Sequence, residues 1–79
     1  MIRELIERQG GVTRVAKALE ICHGTVIQWR NAGCLPYAKA GSRIKHYERR
    51  LAKMEGVPVA QFRKEAYAEY LEVQKSKAA

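Results

Sequence analysis

Residues 10–30 read GGVTRVAKALEICHGTVIQWR, and this stretch decides the fold. Its apolar residues have helical spacing on both sides of a short interruption near Ile21, which predicts two short helices joined by a turn of three or four residues. A steep contact between such helices needs a small residue on the first one, which Ala16 supplies, and an apolar turn residue, which Ile21 supplies. It also needs apolar residues ten and thirteen positions after Ala16, and Val26 and Trp29 occupy them.

Helical spacing recurs on either side of this stretch. A short first helix ends at Gly10 and Gly11, and its apolar positions are Ile2, Leu5 and Ile6. A fourth helix is expected between an N-cap at Ser42 and a stop at Gly56. Its buried face would contain Ile44, Tyr47, Leu51 and Met54. Pro58 fits the first turn of a fifth helix, and residues 74–79 are expected to fray. No segment alternates with the period of a strand, so the predicted class is all-α with about five helices.

Length and charge limit the possible functions. A chain of 79 residues suits one small domain and disfavours a deep substrate cavity. Fifteen Lys and Arg residues against eight Glu and no Asp give a net charge of +7, which favours a polyanionic partner. The excess is uneven, with +2 in residues 1–30, +4 in residues 31–56 and +1 in residues 57–79.

The segments 11–19, 21–29 and 33–36 together resemble the helix-turn-helix of Cro-like phage repressors and related small bacterial regulators. The resemblance covers residues 1–56 and is most specific in residues 11–36. It implies a domain of the lambda-repressor type that binds operator DNA as a dimer and represses transcription. We therefore divide the chain into a helix-turn-helix DNA-binding core, residues 1–56, and a C-terminal helical segment, residues 57–79.

Two positions depart from the family pattern. Glu20 occupies a turn position where the family usually has Gly. Gly is usual because the residue at this position often adopts a left-handed conformation. Cys22 stands where the second helix usually has a Ser or Thr cap. A thiol is a poor hydrogen-bond acceptor, so this cap is expected to be weaker by about 1 kcal/mol.

The resemblance assigns base contacts to the first two turns of the second helix of the motif. Gln28 can bond N6 and N7 of adenine, His23 can donate to guanine or phosphate, and Ile27 can contact a thymine methyl group. Gly24 would allow the helix backbone to approach DNA closely, with Thr25 beside it. Ile27 could instead occupy a core position and His23 a solvated surface position, whereas for Trp29 a core or half-buried position is favoured over base stacking.

Phosphate contacts are expected from residues that flank these positions, because phosphate contacts orient a protein on the duplex without selecting sequence. The expected residues are Thr13, Arg14, Lys17, Arg30, Asn31 and Lys39. A second basic group on the fourth helix is either an ordinary solvated face or a further phosphate surface, and consists of Arg43, Arg49, Arg50 and Lys53.

The C-terminal helix has a broader apolar face than a short surface helix needs. We expect it to pack on the core and to form a homodimer interface with Phe62, Tyr67, Tyr70 and Leu71. The alternative is that these residues complete the core of a single copy. The Glu- and Ala-rich sequence favours the helical rather than the β-hairpin form of Cro-like C-terminal segments.

Other classes find little support in the sequence. Cys22, His23, Cys34 and His46 lack the paired spacing of a zinc site, so neither a metal nor a cofactor is expected. A disulfide is disfavoured in the cytoplasm, where we expect the protein. The chain shows no catalytic constellation, and we expect no enzyme activity, small-molecule substrate or membrane association. An antitoxin-type regulator with the same motif and a helical adaptor that does not bind DNA stay open as alternatives.

Overall fold

The computed structural model describes residues 1–78, which form five α-helices and no strand, as predicted. They measure 35 × 26 × 24 Å along the principal axes. The helices are α1 (Ile2–Arg8), α2 (Val12–Leu19), α3 (His23–Ala32), α4 (Arg43–Glu55) and α5 (Val59–Ala78).

One hydrophobic core joins all five helices. Ala16, Val26 and Trp29 are buried in it, and Ile21 packs against it while half-buried. The Trp29 ring lies 4.9 Å from the ring of Tyr47 in α4, measured between centroids. All four residues that we expected at the contact between the second and third helices therefore lie in this core or against it.

Helices α2 and α4 each end at a residue with a left-handed backbone conformation. Glu20 follows α2 with φ = 58° and is the one non-glycine residue with positive φ among residues 1–78. The next amide, of Ile21, then donates a 3.0 Å hydrogen bond to the carbonyl of Ala16. Gly56 ends α4 with φ = 70°, and the Val57 amide bonds the carbonyl of Ala52 in the same way. Neither Cys22 nor Ser42 makes a side-chain capping bond, so Ser42 holds the predicted N-cap position without the predicted function.

Helix α5 runs through Ala78 and so includes residues 74–78, which we expected to fray, and Ala79 lies outside the described residues. One expectation for the C-terminal segment is wrong. Phe62 is only 1% exposed and fills the core of the single copy, so it offers no surface to a dimer partner. Tyr67 and Leu71 are exposed by 46% and 50%, and Tyr70 is half-buried.

A buried carboxylate joins α4, α5 and the segment after α3. Glu48 is 1% exposed and accepts a 2.8 Å hydrogen bond from the hydroxyl of Tyr37. Nε of Arg63 donates to both carboxylate oxygens at 3.2 Å. Because the charge is paired, its burial is tolerated. Glu48 lies four residues after Ile44 and three before Leu51, on the predicted buried face, but nothing in the local sequence pattern indicates Tyr37 and Arg63 as its partners.

Candidate nucleic-acid interface

Helix α3 presents one face to the core and another to solvent. Val26 and Trp29 are buried, whereas His23, Gly24 and Gln28 are exposed. The first two turns of α3 therefore carry an uncharged surface with groups that can donate and accept hydrogen bonds.

Two of the expected base-contacting residues are only half-exposed. Thr25 and Ile27 are both intermediate in burial, and Ile27 lies outside the hydrophobic core cluster. A core position for Ile27 is thus disfavoured. A Cβ atom added to Gly24 would meet no protein atom within 4 Å, so packing does not require glycine there. The bare backbone at this position leaves room for close approach by another molecule.

A surface groove of about 240 Å³ brings three of the expected residues together. Thr25 and Gln28 of α3 line it with Lys39, which lies in the segment between α3 and α4. That segment turns at Pro36, whose carbonyl accepts hydrogen bonds from the amides of Lys39 and Ala40 at 3.2 and 2.9 Å. The turn places a cation beside an uncharged part of α3.

The first turn of α4 adds Arg43 to the same groove. Arg43 also lines a neighbouring groove of about 390 Å³ with His46, Thr25 and Cys22. Of the four basic α4 residues that the sequence singled out, Arg43 is the one that the structure brings to α3. The other three are exposed elsewhere on the helix and line neither groove: Arg49, Arg50 and Lys53. The sequence did not predict a place for His46 here, although its helical spacing from Arg43 was visible.

The expected phosphate-contacting residues of α2 are all exposed, but they do not line the grooves beside α3. They are Thr13, Arg14 and Lys17. The Arg14 side chain crosses the turn before α2, where a Cβ atom on Gly10 would lie 2.6 Å from Cδ of Arg14. Glycine at position 10 therefore permits the observed path of this arginine side chain.

The end of α3 is held by a cation from α1. Nε of Arg3 donates a 2.7 Å hydrogen bond to the carbonyl of Arg30, and a terminal nitrogen of Arg3 donates to the carbonyl of Asn31 at 3.1 Å. The side chains of Arg30 and Asn31 stay exposed. Sequence reasoning missed Arg3, because nothing in its local pattern indicates a partner 27 residues away.

The cysteines of the chain are not joined. Cys22 is exposed and Cys34 is buried, and burial raises the pKa of the Cys34 thiol. Among residues 1–78, no three His, Cys or acidic side chains cluster as metal ligands would. Within the same residues, none of the helices combines the length and the hydropathy that a membrane crossing requires.

Searches against protein families, curated protein sequences and solved structures found no match to this chain.

Proposed function

We propose that the chain is a sequence-specific regulator of transcription that binds double-stranded DNA, of the Cro-like phage or prophage repressor type. In this proposal α3 enters the major groove and α2 crosses the sugar-phosphate backbone. His23, Gly24, Thr25, Ile27 and Gln28 contact bases. The phosphate contacts come from Thr13, Arg14, Lys17, Arg30, Asn31 and Lys39.

One observation carries the proposal: an exposed, uncharged surface on α3 is bordered by cations. Gln28 is exposed and shares a groove with Lys39 and Arg43. Base edges are recognised by hydrogen bonds and apolar contacts, whereas phosphates attract Lys and Arg. A surface with both kinds of group suits a protein that is oriented on the duplex by phosphate contacts and recognises its sequence by base contacts.

Two copies would bind a two-fold symmetric operator. Each would place one α3 in the major groove, with the half-sites about 34 Å apart, one turn of the double helix. The sequence resemblance is the reason for proposing a pair of copies. The structure adds that Phe62 cannot contribute to their contact because it is buried.

Selection of bound duplexes from a random DNA pool tests the function. We expect enrichment of a palindromic site, with an affinity that falls steeply as salt rises because bound phosphates release counterions. The adaptor hypothesis predicts instead no enriched site and no salt-dependent DNA binding. Enrichment of an asymmetric single site would retain sequence-specific binding but reject the two-copy arrangement.

A further inference from the structure

A second surface, on the side of α5, has a different chemistry from the α3 surface. A groove of about 740 Å³ runs between α4 and α5. Its apolar lining consists of Tyr37, Ile44, Ala60, Tyr67, Ala68 and Leu71. Tyr67 and Leu71 are the large hydrophobic residues that the described chain leaves exposed, and both lie here. Clustered exposed apolar groups often mark a binding surface.

The aromatic wall of this α4–α5 groove is held in place before any partner arrives. The Tyr37 ring lies 5.2 Å from that of Tyr67 in an edge-on arrangement and 5.5 Å from that of Tyr70. The Tyr37 hydroxyl is fixed by its hydrogen bond to Glu48. A wall that is already ordered loses little conformational entropy on binding.

The charged groups around the α4–α5 groove are mainly positive. Lys45 and Lys64 line it and are exposed. Glu48 also lines it, but this carboxylate is buried and bonded by Tyr37 and Arg63. An incoming molecule therefore meets an apolar floor beside two lysines, which complements an apolar stripe flanked by carboxylates.

We propose that the α4–α5 groove binds an acidic amphipathic helix of a partner protein. The apolar face of such a helix would cover Tyr67 and Leu71, and its flanking carboxylates would meet Lys45 and Lys64. This binding requires neither DNA nor the α3 surface, because the α4–α5 groove shares no lining residue with the groove at Thr25 and Gln28.

A second copy of the chain fits this groove less well. The outward face of α5 carries Lys64, Leu71 and Lys75 at helical spacing, and all three are exposed. Two such faces packed around Leu71 would collect four lysines at one interface, at a cost in free energy. Each copy also has a net charge of +7, which adds to the repulsion.

Fluorescence anisotropy with three synthetic peptides tests the proposal on the full chain. The first is a fluorescein-labelled, hydrocarbon-stapled helix of about 18 residues, ~27 Å long, with one leucine stripe and glutamate at the positions outside the stripe and the staple. The second keeps the stripe and replaces glutamate by lysine, and the third keeps glutamate and replaces the leucines by glutamine. We expect the first peptide to bind at least tenfold more tightly than either of the others. Equal binding of the acidic and basic peptides would overturn the proposal.

Variants with matched controls locate the binding. We expect the double variant Lys45→Glu, Lys64→Glu to bind the acidic peptide about tenfold more weakly, because both contacts with its carboxylates become repulsive. Leu71→Gln should lower the affinity for the same peptide severalfold. The pair Arg49→Glu and Lys53→Glu makes the same change in net charge at exposed α4 positions outside the groove, and it should have a much smaller effect. Equal losses in the two pairs would mean that only net charge matters, against the proposal.

Two further measurements distinguish an acidic helix from other possible occupants of the α4–α5 groove. Amide chemical shifts should change on addition of the acidic peptide at Ile44, Lys45, Tyr67 and Leu71, and changes confined to α2 and α3 would contradict the proposal. Sedimentation of the chain alone tests the second copy. A dimer that Leu71→Gln dissociates would assign the groove to self-association and overturn the proposal, without bearing on whether α3 binds DNA.

Discussion

The guanidinium of Arg3 in α1 closes the end of α3 through a 2.7 Å hydrogen bond to the carbonyl oxygen of Arg30. The last carbonyls of a helix have no partner within it, and the C-terminal end of its dipole attracts a cation. Arg3 satisfies both requirements and joins the first helix to the helix that we propose enters DNA. The position of the α3 surface thus depends on a residue outside it.

Replacing Arg3 by Met keeps most of the aliphatic stem and removes the donors. We expect the free energy of unfolding to fall by about 1 kcal/mol, a modest value because the bonds are exposed. For a domain of this size the loss corresponds to a decrease in Tm of about 5 °C. Arg49→Met, at an exposed position of α4, is the control and should leave Tm nearly unchanged. An equal Tm for the chain and its Arg3→Met variant would show that the cap does not contribute to stability.

Replacing Glu20 by Gly should stabilise the chain. Glu20 has φ = 58°, which is unfavourable for a residue with a side chain, and the larger unfolded-state entropy of glycine offsets part of the gain. We expect an increase of about 0.5 kcal/mol in the free energy of unfolding, measured by urea denaturation. Glu20→Ala distinguishes relief of backbone strain from loss of the negative charge, because it removes the charge and keeps Cβ. A gain of equal size in the alanine variant would attribute the effect to charge rather than to backbone strain.

Replacing Gln28 by Ala should relax the sequence preference at one base-pair position in each half-site. Loss of a bidentate contact to adenine costs about 1–3 kcal/mol of discrimination. The measurement compares affinities for the selected operator and for the three versions that carry another base pair at that position. An unchanged ratio between operator and scrambled duplex would rule out the proposed role of Gln28.

Replacing Lys17 by Ala should weaken binding to all duplexes alike. A lost phosphate contact reduces the slope of log affinity against log salt by about one unit and leaves base preference intact. Lys53→Ala is the control, since Lys53 is an exposed lysine outside both grooves beside α3. A change in base preference in the Lys17 variant would contradict a role confined to phosphate.

The ion pair between Arg8 and Glu55 should make stability depend on pH in the acid range. Burial alone would raise the pKa of Glu55, but hydrogen bonds from Arg8 and Gln9 and the charge of Arg8 outweigh it and lower the pKa below 4.5. A lowered carboxyl pKa stabilises the fold above the unfolded-state pKa, and the contribution is lost as pH falls through the folded-state pKa. Glu55→Gln should therefore destabilise the chain by about 1 kcal/mol at pH 7 and by progressively less below pH 4.5. A difference that stays constant down to pH 3 would exclude an ionic origin.

Local spacing predicted the helices well because each short helix buries one apolar face. The offsets from Ala16 to Val26 and Trp29 identified the contact between α2 and α3 for that reason. The same reasoning failed where a residue depends on a distant one. Phe62 looked available to a partner because its spacing does not show that α4 covers part of α5, and the bonds of Arg3 and Glu48 link residues far apart in the sequence. Of the candidate site, exposure could be predicted on α3, but the approach of Lys39 and Arg43 required the path of the chain after Pro36.

The carboxylate of Glu48 connects the C-terminal helix to the rest of the chain through its bonds from Arg63 and Tyr37. If α5 alone detached, Arg63 would leave with it and the Glu48 carboxylate would lose that partner, while Phe62 and Ala66, each 1% exposed, would leave the core and meet water. Detachment of α5 is therefore costly, and the amide hydrogens near Phe62 and Ala66 should exchange with a free energy of opening close to that of global unfolding. A helix that is last in the sequence would then belong to the same cooperative folding unit as the helices that precede it.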